Sequence, residues 1–315
     1  MRFARLAIAL TTSYLAALLF FPALRLKRPK RTTVFVTLAV IIALSPLWVP
    51  LNTPSVRFLV ALNATALLVK LYDLHVAADR SLSPGFLSFV AFLPNWFSVV
   101  WRRLGAEPRP TFRQVLVRLG HSCWKAALAV VLLVWLFGKD WAGTPFVLEH
   151  CAKTLAVFVA LIPASALAAA LWRLTGGRAR EFMDAPLLAA TPAEFWRRYN
   201  RPAQQFLYED VFKRAGALRA PTRATLLTFV VSALLHEYVF GVSLGRVQGY
   251  QTLFFLLQGV GVAATMRIRP AGWKVWPWIG LTWMLNLATS LFFFASVAGV
   301  FPLYSRGLPK WLAGS

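Results

Sequence analysis

Charge is what this sequence is short of. Only 14% of its 315 residues are Asp, Glu, Lys or Arg, against 58% hydrophobic ones, and the mean hydropathy is +0.61. That is too little polar surface to coat a soluble globule of this length, which excludes a soluble domain and implies an integral membrane protein. Acidic residues are the scarcer sign: 11 stand against 34 basic ones, for a formal charge of +23. A nucleic-acid-binding chain has such a balance, but here the basic residues cluster between apolar runs rather than along one soluble face. Positive-inside topology accounts for that pattern, and no nucleic-acid partner is expected.

Cysteine is nearly absent. Cys123 and Cys151 begin consecutive apolar runs that enter the membrane from opposite faces, a separation that excludes a disulfide. Neither has a Cys or His neighbour at metal-ligand spacing, so both read as small buried hydrophobes and no metal is expected. Without an internal repeat, a low-complexity tract or a soluble domain boundary, residues 1–315 read as one membrane-embedded domain.

What the chain has is long apolar runs. The first, 6–23, follows Arg2 and Arg5 as a secretory signal would, but it is long for a signal core, lacks a small-x-small cleavage site and runs into a basic cluster, so it is expected to be retained. That cluster (Arg25, Lys27, Arg28, Lys30, Arg31) outweighs the two N-terminal arginines and places the N-terminus outside. Further spans are expected at about 34–49, 55–74, 121–138, 150–172, 222–242, 250–266 and 275–301, giving an all-α polytopic protein of about eight transmembrane helices. Residues 85–100 are apolar but short, bounded by Pro84-Gly85 and broken by Pro94-Asn95. If they crossed, Arg102, Arg103, Arg109, Arg113 and Arg118 would lie outside, so the segment is expected to be re-entrant or interfacial. The four stretches then assigned to the cytoplasm hold 23 of the 34 basic residues.

The largest of these, 173–221, carries an unusual helix. Thr191 reads as its N-cap, Pro192 as its first turn and Glu194 as the residue reaching back to complete a capping box. Pro202 disfavours helical geometry at Arg201, ending the helix at or just after Asn200; a second helix over about 203–215 stops at Gly216. Phe195, Trp196 and Tyr199 share one side by spacing, leaving Arg197, Arg198 and Arg201 to face water or phosphate. This is the layout of a helix in the headgroup interface, and anchoring to anionic lipid would explain the arginines by itself. Asn200, read alone, is a C-cap.

The second feature is Ser232-Ala233-Leu234-Leu235-His236-Glu237-Tyr238. His236 lies about fourteen residues into its span, roughly 20 Å along the axis, and Glu237 is the one acidic residue placed well inside a span. Ionisable groups at that depth are costly, and function is the default reading. Hydrogen bonding between helices is the alternative for His236, and pairing with an arginine or backbone amide for Glu237. His75, near Asp73 and Asp79, reads as an exposed loop group or a helix-end pair rather than a metal ligand, and nothing promotes His121 or His150.

Phe182-Met183-Asp184-Ala185-Pro186-Leu187-Leu188, then Glu194-Phe195-Trp196-Arg197-Arg198-Tyr199-Asn200-Arg201-Pro202, then Ser232-Ala233 ahead of His236-Glu237-Tyr238 together resemble the membrane-bound O-acyltransferase superfamily, most of all its wax synthase branch, which is related to the diacylglycerol and sterol acyltransferases. The likeness covers roughly residues 180–240. It implies a membrane tunnel in which an acyl thioester, usually acyl-coenzyme A as co-substrate with no other cofactor, is attacked by a lipophilic alcohol. His236 matches the family's essential histidine and Asn200 its companion asparagine, with Trp196, Tyr199 and Glu237 in support and Arg197, Arg198 and Arg201 toward the donor phosphates. Tyr199 stands where many relatives have Trp, and Gln204 where diacylglycerol acyltransferases commonly have a second His. Because the linear topology leaves Asn200 outside the bilayer core while His236 is deep, the resemblance requires a re-entrant loop.

A wax ester is the product this resemblance favours; diacylglycerol, a sterol-like alcohol or a hydroxylated specialised metabolite are alternative acceptors. A transporter or lipid-binding protein using the intramembrane polar pair is the rival from another class, and a polysaccharide acetyltransferase fits the motif neighbourhood less well. Related lipid acyltransferases are often homodimers, though no stretch marks an interface. The compact chain points to a bacterial inner membrane.

Overall fold

The computed structural model describes residues 2–107 and 109–313. Its helices are α1 (Arg2–Ala23), α2 (Arg28–Leu44), α3 (Pro54–Ala78), α4 (Phe86–Phe92), α5 (Trp101–Leu104), α6 (Phe112–Gly138) and α7 (Phe146–Leu174). They continue as α8 (Pro192–Arg198), α9 (Arg201–Phe206), α10 (Pro221–Leu244), α11 (Tyr250–Thr265), α12 (Val275–Val300) and α13 (Lys310–Ala313). No strand occurs among the described residues. Among the described residues seven helices are long and apolar enough to cross a membrane: α1, α2 with its 3-10 extension to Trp48, α3, α6, α7, α10, and α12 with its preceding 3-10 turn. The span expected at 250–266 is present as α11, but its 16 residues make it only about 24 Å long.

Packing divides the chain into two compact units, Met1–Pro108 with Leu235–Gln248, and Arg109–Leu234 with Gly249–Ser315. In the first, small residues let α1 approach its neighbours closely: Ala16, Ala17 and Phe20 pack with Leu38 and Ile42 of α2, Leu67 and Leu71 of α3, and Phe89 and Phe92 of α4. The end of α10 joins this unit, where the Tyr238 hydroxyl donates to the Ala43 carbonyl at 2.7 Å and Phe240 packs on Phe58.

Residues 85–100 fold as the charge argument requires. The segment leaves beside the end of α3 and returns there: the Trp101 indole donates to the Leu82 carbonyl at 2.7 Å, and Arg102 pairs with Asp73 of α3 at 2.5 Å. Between these points it reaches Lys70, whose ammonium donates to the carbonyls of Phe92, Leu93 and Asn95 at 2.8, 2.6 and 2.6 Å. Lys70 precedes Ala78 by eight residues, so the segment dips roughly 12 Å along α3. Three carbonyl acceptors call for the three N–H donors of an ammonium, and these bonds satisfy the orphan carbonyls at the end of α4.

His75 is a helix-end pair, and it is buried rather than exposed. Its Nδ1 accepts from Arg31 Nε at 3.2 Å, it stacks on Phe35, and Arg31 also bonds Asp79. His150, which no sequence pattern promotes, is likewise buried: its Nδ1 lies 2.8 Å from the Tyr304 hydroxyl and its Nε2 2.9 Å from Ser290 Oγ. Beside it the Glu149–Lys153 pair holds Ser305 and the Leu303 carbonyl, fixing the segment after α12 onto α7. Cys123 and Cys151 are both free thiols, and neither is buried as the sequence reading expects: Cys123 is exposed and Cys151 partly so.

Replacing Lys70 by Met keeps the volume but takes the ammonium donors from three carbonyls, of which that of Phe92 still accepts from the Asn95 amide. Hydrogen bonds to charged groups contribute about 1.5–3 kcal/mol each and are partly offset by the ammonium's desolvation, so Lys70→Met is expected to destabilise the protein by about 3 kcal/mol. The check is a lowered thermal midpoint in detergent, together with new maleimide reactivity of a Ser98→Cys probe, a position fully buried in the native fold.

Candidate active site

The loop after α7 is built from short pieces that brace one another. The Asp184 amide donates to the Arg198 carbonyl and the Arg201 amide to the Phe182 carbonyl, both at 2.9 Å, so residues 182–184 run alongside the end of α8. Ala185 turns in a left-handed conformation into the 3-10 turn Pro186–Leu188. Thr191 caps α8 as its sequence predicts, Oγ1 accepting from the Glu194 amide at 3.2 Å. Glu194 reaches back one residue further than a capping box requires, accepting from the Ala190 amide at 2.8 Å, while its other oxygen pairs with Arg198 at 2.5 Å.

The aromatic side of α8 faces protein. Phe195 and Tyr199 stack on each other and on Phe158, twelve residues into the 29-residue α7, and Trp283 of α12 sets its edge against Phe158. Trp196 packs edge-on against Phe229 of α10 and beside Phe254 and Phe255 of α11. Its indole donates to Gln258 Oε1 at 2.8 Å, and Gln258 passes the bond on through Nε2 to Thr289 Oγ1 at 2.7 Å and Asn286 Oδ1 at 3.2 Å. Three further bonds pin the approach to α8: Trp283 Nε1 to the Leu187 carbonyl, Thr282 Oγ1 to the Ala190 carbonyl, and the Ala193 amide to Thr265 Oγ1. Close approach is possible because Gly261 has no side chain; a Cβ there would lie 2.6 Å from Leu285 and 3.7 Å from Pro192. Phe158 lies about 24 Å along α7 from its end at Leu174, so this part of the loop folds back among the spans instead of resting with its apolar side in the headgroups.

Asn200 holds φ 43° and ψ 57°, the left-handed region that Asn enters more readily than other side chains do. It ends α8 only in passing. Its role is to begin α9: its Oδ1 accepts from the Ala203 amide at 3.4 Å, which makes it an N-cap where the sequence alone reads a C-cap. With Oδ1 so engaged, the Nδ2 amide is left as a donor. Helix α9 continues as a π-helical turn, Leu207–Phe212, and Gly216 follows at φ +78°, close to the expected end.

The three arginines separate. Arg198 is committed to Glu194 and to the Ala185 carbonyl, and Arg201 lies 3.8 Å from Asp184. Arg197 is exposed and makes no ion pair among the described residues. Burial pushes the Tyr199 hydroxyl up to about 12, so this phenol is neutral, and able to donate, at any physiological pH. His236 stands fifteen residues after Pro221, about 22 Å along α10, and is half-buried; Glu237 beside it is buried. No three His, Cys, Asp or Glu side chains among the described residues come together as a metal site.

Residues 121–295, more than half the chain and a stretch that includes both Asn200 and His236, match MBOAT, the membrane-bound O-acyltransferase family. The chain belongs to this family. Its similarity to curated family relatives is local: 37% identity over 81 residues to a probable sterol O-acyltransferase 1 of Schizosaccharomyces pombe, 32% over 79 to a probable sterol O-acyltransferase 2 of the same yeast, and 39% over 83 to sterol O-acyltransferase 1 of Saccharomyces cerevisiae. Each alignment takes in about a quarter of this chain and only 14–17% of the relative's length.

Sequence reasoning passed over Gln258, which is 1% exposed and fixes the indole of the motif helix. The signal was there, one of two amides (with Gln251) in the apolar run 250–266, but an amide carries no charge and stands out less than an ionisable group. Trp196→Phe removes the indole donor and leaves Gln258 Oε1 unmet, with an expected loss of about 1–2 kcal/mol. Adding Gln258→Met should recover part of that loss, and thermal denaturation of both variants in detergent measures the coupling.

Proposed function

We propose that this family member is an acyl-CoA:alcohol O-acyltransferase that joins a long-chain acyl group to the hydroxyl of a lipophilic alcohol, forming a wax ester or similar neutral ester. The observation that carries the reading is Asn200: a left-handed residue at a helix junction, its amide Nδ2 left as donor, within the family-matched region that also holds His236 in mid-span. A neutral His236 takes the alcohol's proton as the oxygen attacks the thioester carbonyl. Asn200 Nδ2 donates to the oxygen on which charge develops. The carbon–sulfur bond then breaks, and the coenzyme A thiolate leaves and takes up the proton held by the imidazole. Among the donor-phosphate candidates Arg197 is foremost, since Arg198 and Arg201 brace the loop; Trp196 and Tyr199 set the loop's position. Buried Glu237 is assigned a supporting role beside His236.

A sterol-like alcohol is the second reading, favoured by the names of the relatives. The basic clusters support a cytoplasmic donor side with the N-terminus outside, and we assign the chain to a bacterial inner membrane, as a monomer or homodimer.

Purified protein given a long-chain acyl-coenzyme A should release free thiol with a long-chain alcohol or a sterol, and the ester identified by mass spectrometry selects the acceptor. His236→Ala is expected to lower turnover by at least about 10²-fold with the fold intact. Asn200→Gly keeps the left-handed backbone at a cost of a few tenths of a kcal/mol. A folded but inactive Asn200→Gly variant assigns the amide to chemistry, and full activity would reduce it to a turn residue. Arg197→Gln should raise KM for the acyl donor about tenfold and leave kcat nearly unchanged; an unaltered KM removes it from donor binding.

A further inference from the structure

Arg57 stands in the first turn of α3, at the end opposite the Arg31–Asp79 pair, and its surroundings are incomplete. The residue is only 7% exposed, its Nε is fully enclosed without an acceptor, and its guanidinium has no hydrogen-bond or ion-pair partner among the described residues. A cation at a helix N-terminus also sits on the wrong end of the helix dipole. An arginine near the end of a span usually extends along the surface and leaves its head in water; here the stem and Nε are enclosed by protein and only the ends of the fork are left for an outside acceptor.

The backbone around it is incomplete in the same sense. Thr53, the N-cap of α3, gives no side-chain cap: its hydroxyl donates to the Pro50 carbonyl at 2.9 Å. Pro54 has no N–H, and the amides of Ser55 and Val56 at the head of this 25-residue helix have no cap. Long side chains on a helix lean back toward its N-terminus, the end at which these two amides are uncapped. The turn after α10 runs close to the segment that leads into α3: Gly245, at φ +70°, lies so close to Leu51 that a Cβ would come within 2.7 Å of it, and exposed Arg246 follows.

We propose that the head of α3 with Arg57 is a phosphate site that takes the headgroup of a membrane phospholipid. A guanidinium fork and uncapped helix amides are the donors that phosphate oxygens match. The position is right for a lipid: Arg57 lies three residues, about 5 Å, below the start of a transmembrane helix, at headgroup depth. A bound phosphodiester supplies the counter-charge for Arg57 and the cap for Ser55 and Val56 together. Nothing in the acyl-transfer reading uses this site.

The test is native mass spectrometry of the full chain in detergent doped with phosphatidylglycerol. The native protein should retain at least one phosphatidylglycerol through delipidating activation, and Arg57→Leu should lose it. Arg57→Leu removes the guanidinium with its charge and donors; Arg57→Gln keeps a polar amide without the charge and serves as a second variant, and circular dichroism checks that both retain helix. The lipid should also raise the thermal midpoint of the native protein and fail to raise that of either variant. Equal lipid retention by folded variants, or none by the native chain, overturns the proposal. A thermal shift from millimolar inorganic phosphate equal to that from the lipid overturns the lipid as the source.

Discussion

An indole has a single N–H, and where water is excluded that one bond decides where the ring rests. In this protein the bond of Trp196 ends on Gln258, whose own amide is held by Thr289 and Asn286. A short helix with two arginines and a glutamate would not otherwise settle among apolar spans. Trp283, Thr282 and Thr265 extend the same logic to the strand of chain leading in, meeting backbone groups at Leu187, Ala190 and Ala193. The aromatic stack of Phe158, Phe195 and Tyr199 fills the remaining space. Position comes from polar bonds and fit from rings, a division suited to a loop that must hold an asparagine in an uncommon backbone conformation.

The ion pairs show the complementary rule. Glu194 holds Arg198, Asp184 approaches Arg201, and Glu181 holds both Arg118 and Arg173, so acidic residues of the loop are spent on arginines that give it shape. With 11 carboxylates against 34 basic residues, some basic residues among those described stay without a carboxylate partner. Those that do, Arg197 foremost, are left for phosphates and headgroups.

Much of this was legible in the sequence. Apolar runs marked the long helices because a bilayer-crossing segment must be apolar, although α6 begins nine residues before the run expected at 121 and α11 is too short to count among the seven candidate spans; the count of arginines after residue 100 foretold that 85–100 turns back. The residues that went unread share a reason. Periodicity shows that Phe195, Trp196 and Tyr199 form an apolar side, but lipid and a protein interior are equally apolar, so the pattern cannot say which one that side meets. Asn200 follows an apparent helix end and precedes Arg-Pro, which reads as a stop; only the backbone shows that it starts the next helix. Glu194 binds Ala190 rather than Thr191, a shift of one amide that spacing does not encode. Gln258 is an ordinary residue in sequence and acquires its meaning from a ring 62 positions away.

The Lys70 clamp bears on how the chain is assembled. As α3 leaves the ribosome it carries an ammonium near its middle, and the carbonyls that will hold it are still 22 to 25 residues behind. A lone α3 in lipid would be a poor membrane segment, with Lys70 and Asp73 both unmet. The unit that partitions into the bilayer is therefore α3 together with the hairpin that follows, and residues 54–102 enter as one insertion step whose completion is marked by Arg102 closing on Asp73.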